Sequence, residues 1–139
     1  MDERDRELRN RIYGQLVELG RVPTIEETGA DAESLRRLHD ERALVLEPDG
    51  SAIRMLNPFS GPPTPYRVEA GGRSWFGNCV WDAFGVPAAL AVDGHVSAIC
   101  LDCGEALEVD MVAGRPEPDD LVAHILLPAR RWWEDIVFT

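Results

Sequence analysis

The chain has 139 residues, 45% of them hydrophobic, enough for one ordinary domain or two small lobes sharing a core. With 25 acidic against 14 basic residues its net charge is −11, a poor match to a polyanion, so nucleic-acid binding is disfavoured. No segment is long and apolar enough to span a bilayer, and the charged start MDERDRELRN lacks the pattern of a signal peptide, so the expected location is cytoplasmic with reduced thiols.

In chain order, Asp5 to Gly20 carries Leu8, Ile12, Leu16 and Leu19 on one face of an amphipathic helix, closed by Gly20. Thr24 is placed to cap a short helix, with Glu27 reaching back as a capping box. Asp31 caps a third helix bearing Leu35 and Leu38. Ala43 to Leu46 and Ala52 to Leu56 flank Glu47-Pro48-Asp49-Gly50-Ser51, a hairpin signal. Three helices followed by a hairpin outline a winged-helix-like lobe over residues 1–57. Arg36 and Arg37 on its third helix are offset by Glu33, Asp40 and Glu41, which argues against DNA recognition.

The stretch NPFSGPPTP has four prolines in nine residues and predicts a stiff connector at 58–65 before a second unit at 66–139. Tyr66 to Ala70 reads as a strand ending in a Gly71-Gly72 turn. A helical stretch from Asn78 to Leu90 is expected to break near Gly85-Val86-Pro87. Ala88 to Val92, His95 to Cys100, Ala106 to Met111, Leu121 to Leu127 and Ile136 to Phe138 read as short strands. The expected class is α+β: a helical lobe packed on a small mixed α/β core. The last residues, IVFT, read as mid-strand, the pattern of a chain shortened from something longer.

The chemistry concentrates in WFGNCVWDAFGVPAAL. Cys79 and Asp82 lie three apart, so on a helix thiol and carboxyl point into the same small volume. A free cysteine is most simply a small buried hydrophobe. A carboxylate among Val80, Trp81, Ala83 and Phe84 is costly unless paired or functional, and an apolar setting raises its pKa. Cys100-Leu101-Asp102-Cys103-Gly104 is a CxxC followed by a turn glycine. It offers half a zinc site or a redox pair, but no second CxxC completes the four ligands zinc wants, so zinc is not favoured. Cys79 and His95 are the residues that would complete such a set. Soft thiolates at Cys79, Cys100 and Cys103 also suit a soft metal ion. His39 reads as solvated at a helix end, His95 as part of a turn and His124 as a strand residue. Trp132-Trp133 suits either a pocket cover or edge packing.

GGRSWFGNCVWDAFGVPAALAVDGHVSAICLDCGEALEV, residues 71–109, resembles the core of the alkylmercury lyases, enzymes that cleave organomercurials. The shared features are an aromatic lead-in, Cys-x-x-Asp on a helix, a proline soon after it, and a cysteine on a later strand before a glycine-containing turn. The resemblance implies that Cys79 binds the mercury of R–Hg–X as thiolate and that Asp82 carries a proton to the departing carbon. It also implies a structural role for Cys100. No cofactor is then required. The small molecule is an organomercurial, Hg(II) is the product, and cellular thiols help remove it. A second catalytic cysteine is expected near RRWWEDIVFT, yet none of residues 130–139 is a cysteine. The missing thiol lies beyond this segment, or Cys103 or Cys100 replaces it, or the lyase reaction has been lost or changed. A non-catalytic protein that binds or senses a soft metal through Cys79, Cys100 and Cys103 is the alternative from a different class.

Overall fold

The computed structural model describes residues 1–137. Helix α1 (Glu3–Leu19) buries Leu8, Ile12 and Leu16 and stops at Gly20, whose left-handed φ of 74° returns its N–H to the Leu16 carbonyl. Helix α2 (Ile25–Thr28) starts with the expected box. The Glu27 N–H donates to the Thr24 hydroxyl at 3.3 Å, and the Glu27 carboxylate accepts from the Thr24 N–H at 2.8 Å. Helix α3 (Ala32–Asp40) is capped by Asp31 and buries Leu35 and Leu38.

Strands β1 (Val45–Leu46) and β2 (Ile53–Leu56) form the expected hairpin. The proline-rich stretch then departs from a plain linker. Phe59–Ser60 is strand β3, antiparallel to β2, with Leu56 opposite Phe59. Phe59 also bridges to Gly77, which ties this three-stranded sheet to the second one. Phe59 is apolar and buried edge-on to Trp75, with ring centroids 5.1 Å apart, so burial overrides the proline content around it.

The second sheet is antiparallel throughout, in the order β5-β4-β6-β7-β8. It comprises β4 (Arg67–Ala70), β5 (Arg73–Phe76), β6 (Gly94–Ile99), β7 (Ala106–Val112) and β8 (Arg115–Glu117). Val68, Ala70, Val96, Val109 and Met111 face helix α4 (Val80–Leu90), while Arg67, Glu69, His95, Glu108 and Asp110 alternate onto the open face. One buried cluster runs without a break from Leu8, Ile12 and Leu16 through Leu56 and Phe59 to Val86 and Val96.

Several local expectations are corrected. Helix α4 continues through Gly85-Val86-Pro87, because Val86 and Pro87 are buried and the proline ring packs over Gly94. That packing offsets one missing backbone hydrogen bond. Ala88–Val92 is therefore not a strand: it holds the last helical turn and the left-handed cap Ala91. The turn precedes Gly94, so His95 lies on β6 rather than in a turn. Leu121–Leu127 forms no strand; Val122 and Leu126 face solvent, with no ladder partner among the described residues to hold them extended. His124 is accordingly on irregular chain. Of the expected last strand, Ile136 and Val137 form a turn and Phe138 lies outside the described residues. Strands β5 and β8, unread in the sequence, complete the sheet. None of the helices is long and apolar enough to cross a membrane among the described residues.

Candidate active site

Strand β5 delivers the chain to the start of α4 through Gly77, where no side chain fits. A Cβ there would stand 2.5 Å from the Ala83 backbone nitrogen. This close approach sets Cys79 at the N-cap of α4 and Asp82 in its first turn. The thiol makes no capping hydrogen bond. Burial raises the pKa of Cys79 foremost. The Asp82 backbone amide opposes that rise, the Asp82 charge adds to it, and the Trp81 amide opposes it weakly. Burial likewise raises the pKa of Asp82, against a hydrogen bond from Asn78 that favours the carboxylate. Two half-buried acids thus face each other, and one negative charge between them is easier to hold than two.

Asn78 organises this corner. Its Nδ2 lies 3.0 Å from Asp82 Oδ2, 3.0 Å from Asn57 Oδ1, and 3.3 and 3.4 Å from the Pro58 and Phe59 carbonyls. Its Oδ1 is buried with no hydrogen-bond partner among the described residues. The helical lobe reaches the same corner through Tyr13, whose hydroxyl donates to the Asn57 carbonyl at 2.6 Å. Burial raises the Tyr13 pKa, with a smaller push from the Asp82 charge, and Arg9 stacks 4.8 Å from its ring centre. Tyr66 flanks the thiol: burial and then the Cys79 charge raise its pKa.

Asn78, Tyr13 and Tyr66 were not singled out in the sequence. Asn78 and Asp82 at i and i+4 are a readable amide–carboxylate pair. Tyr13 and Tyr66 carry no local signal, since only the fold brings them here.

Cys100 and Cys103 lie at the other candidate position, the turn joining β6 and β7, and both are free thiols. The Cys103 and Asp102 amides, with the Cys103 thiol, lower the pKa of Cys100. Among the described residues no three His, Cys, Asp or Glu side chains come together as a metal site, so Cys79, Cys100 and Cys103 do not form one ligand set. His95 faces away on the open sheet surface between Asp110 and Glu108, at 2.6 and 2.7 Å. His39 is partly buried and its Nδ1 accepts from the Leu46 N–H at 3.1 Å. Trp132 donates to the Leu127 carbonyl at 2.9 Å, and Arg42 of the helical lobe stacks 5.4 Å from the Trp133 ring centre.

The family model described as alkylmercury lyase matches residues 59–139, more than half of the chain. The chain belongs to the alkylmercury lyase family. No curated protein matches it closely enough to be informative. Among solved structures, this lyase-family chain is similar to one titled as the mercury-bound form of MerB2, with a TM-score of 0.63 and 22% identity. That similarity supports the fold. It covers 86% of this chain and 62% of the other, so the chain spans less than two thirds of that relative's length.

Proposed function

We propose that this chain cleaves carbon–mercury bonds by protonolysis, with Cys79 holding mercury and Asp82 moving the proton. The observation that carries the reading is the Cys79–Asp82 corner itself: a thiol and a carboxyl, both with raised pKa, at the start of one helix. As R–Hg–X binds, Cys79 Sγ forms a bond to mercury, X⁻ leaves, and the thiol proton passes to the Asp82 carboxylate. Mercury is a soft cation and thiolate is its natural ligand. Sulfur donation weakens the Hg–C bond, and Asp82 then gives its proton to the carbon. The electron pair of the Hg–C bond becomes the new C–H bond, R–H departs, and Hg(II) stays on Cys79 until other thiols remove it. Asp82 ends as carboxylate, ready to take the next thiol proton.

The test is hydrocarbon release from a simple organomercurial with excess small thiol. The intact chain is expected to release it. Asp82→Asn is expected to keep mercurial binding while release falls at least about 100-fold. Cys79→Ser is expected to lose release with its mercury ligand. Release that survives both substitutions would refute the proposal. Mercury capture at Cys79 without any release would favour the alternative, a soft-metal binding protein built on the lyase scaffold.

A further inference from the structure

The CxxC turn takes no part in that reaction, yet its geometry is that of a donor pair. The turn is closed at both levels: the Gly104 N–H donates to the Cys100 carbonyl and the Cys100 N–H to the Glu105 carbonyl, each at 2.8 Å. Gly104 adopts φ 75°, a left-handed conformation that a side chain would strain. Folding back in this way turns the Cys103 thiol, with the amides of Cys103 and Asp102, toward the Cys100 sulfur. Cys103 is exposed and Cys100 partly so, and neither is in a disulfide.

The donor set decides which ion fits. Zinc takes four ligands, and among the described residues no group of three His, Cys, Asp or Glu side chains that could hold a metal ion forms at this turn. Thiolates select soft cations, and among these Hg(II) is content with two sulfurs in a line. The turn also joins two strands, unlike a redox CxxC that opens a helix.

Placement ties the pair to Cys79. Phe76 of β5 pairs with Arg67 of β4, and Arg67 pairs with Ser97 of β6. Continuing outward, β5 runs to Cys79 and β6 to Cys100, so both leave the sheet at the same edge. One strand lies between them, which puts β5 and β6 about 10 Å apart at the normal strand spacing. Tyr66, at the start of the intervening strand, borders Cys79.

We infer that Cys100 and Cys103 form a second, two-thiol mercury site that takes Hg(II) from Cys79 after the hydrocarbon has left. The binding site stands on the turn alone, whereas its receiving role rests on the lyase reading above. In the transfer, bonds form from mercury to the Cys100 and Cys103 sulfurs and the bond to the Cys79 sulfur breaks, X⁻ having left when Cys79 first took the mercury. Two thiol protons are released: one returns to Cys79 and one goes to solvent. Mercury stays Hg(II) throughout.

The chain has three cysteines, so Cys79→Ser leaves only this pair. Titrated with mercuric chloride against a competing monothiol, that variant is expected to lose both free thiols at one equivalent while staying monomeric. Cys79→Ser with Cys103→Ser is expected to bind at least about 100-fold more weakly, since the second sulfur acts intramolecularly. Two equivalents per chain, mercury-bridged dimers, or equal competition by the two variants would overturn the site. Far-UV circular dichroism checks that the exposed Cys103→Ser substitution keeps the fold. For the receiving role, the intact chain and Cys103→Ser are each given one equivalent of organomercurial, and the monothiol then strips the mercury. Stripping at least ten times faster from Cys103→Ser is expected, and equal rates would overturn the transfer. Absence of hydrocarbon would count against the lyase reading alone, because the mercuric chloride titration needs no cleavage.

Discussion

The side-chain amide of Asn78 stands 3.0 Å from the carboxylate of Asp82 and, from the same nitrogen, holds the Asn57–Phe59 segment. Asn78 thus couples the Asp82 carboxylate of α4 to the seam between the two sheets. Its hydrogen bond favours the charged form of Asp82, opposing burial. Asn78→Ala is expected to raise the Asp82 pKa further, because only the desolvation remains. The acid limb of the pH profile for hydrocarbon release should move to higher pH, with little change in mercurial binding. A loss of stability of about 1–2 kcal/mol should accompany it as buried acceptors lose their donor. An unmoved acid limb would reduce Asn78 to a structural role.

Gly77 is the position where sequence, packing and site meet most tightly. The Cβ of Gly77→Ala would press on the Ala83 backbone, which cannot swing aside as a flexible side chain would. The expected cost is about 1–3 kcal/mol in urea unfolding, as for other overpacked sites. Release should fall as well, since the start of α4 carries both Cys79 and Asp82.

The Tyr13 hydroxyl links the helical lobe to the site through Asn57. Tyr13→Phe keeps the ring and removes the bond, leaving a part-buried carbonyl short of its donor. About 1 kcal/mol of stability should be lost. A lowered release rate at unchanged mercurial affinity would show that the lobe helps align the corner; an unchanged rate would show that it does not.

His95 gives the open sheet face a pH-dependent contribution to stability. Asp110 first and Glu108 second raise its pKa, and Glu69 lies opposite it on β4. A histidine pKa raised by folding stabilises fully below the unfolded value, near 6.5, and that contribution is lost as pH rises through the folded value. The cluster is well exposed and screened, so the effect should stay below about 1 kcal/mol. His95→Gln should therefore cost stability at pH 5.5 and almost none at pH 9, read from urea midpoints. An equal cost at both pH values would exclude the charged pairing.

Local chemistry made much of this protein legible in its sequence. The Leu8–Ile12–Leu16 stripe, the Thr24–Glu27 box, the Asp31 cap and the β1–β2 hairpin are each decided within a few residues, by side-chain spacing or by a capping oxygen. The Cys-x-x-Asp spacing likewise placed thiol and carboxyl at the start of one helix without any knowledge of what covers them. Long-range burial decided the rest. Pro87 stays inside α4 because Gly94 gives its ring room, and Phe59 becomes a strand because Trp75 and Gly77 receive it. Asn57 reaches Asn78, and Tyr13 reaches Asn57, only through the fold, from 21 and 44 positions away in the chain. No periodicity records such contacts, since their free energy exists only once the two sheets and α1 close over a shared core.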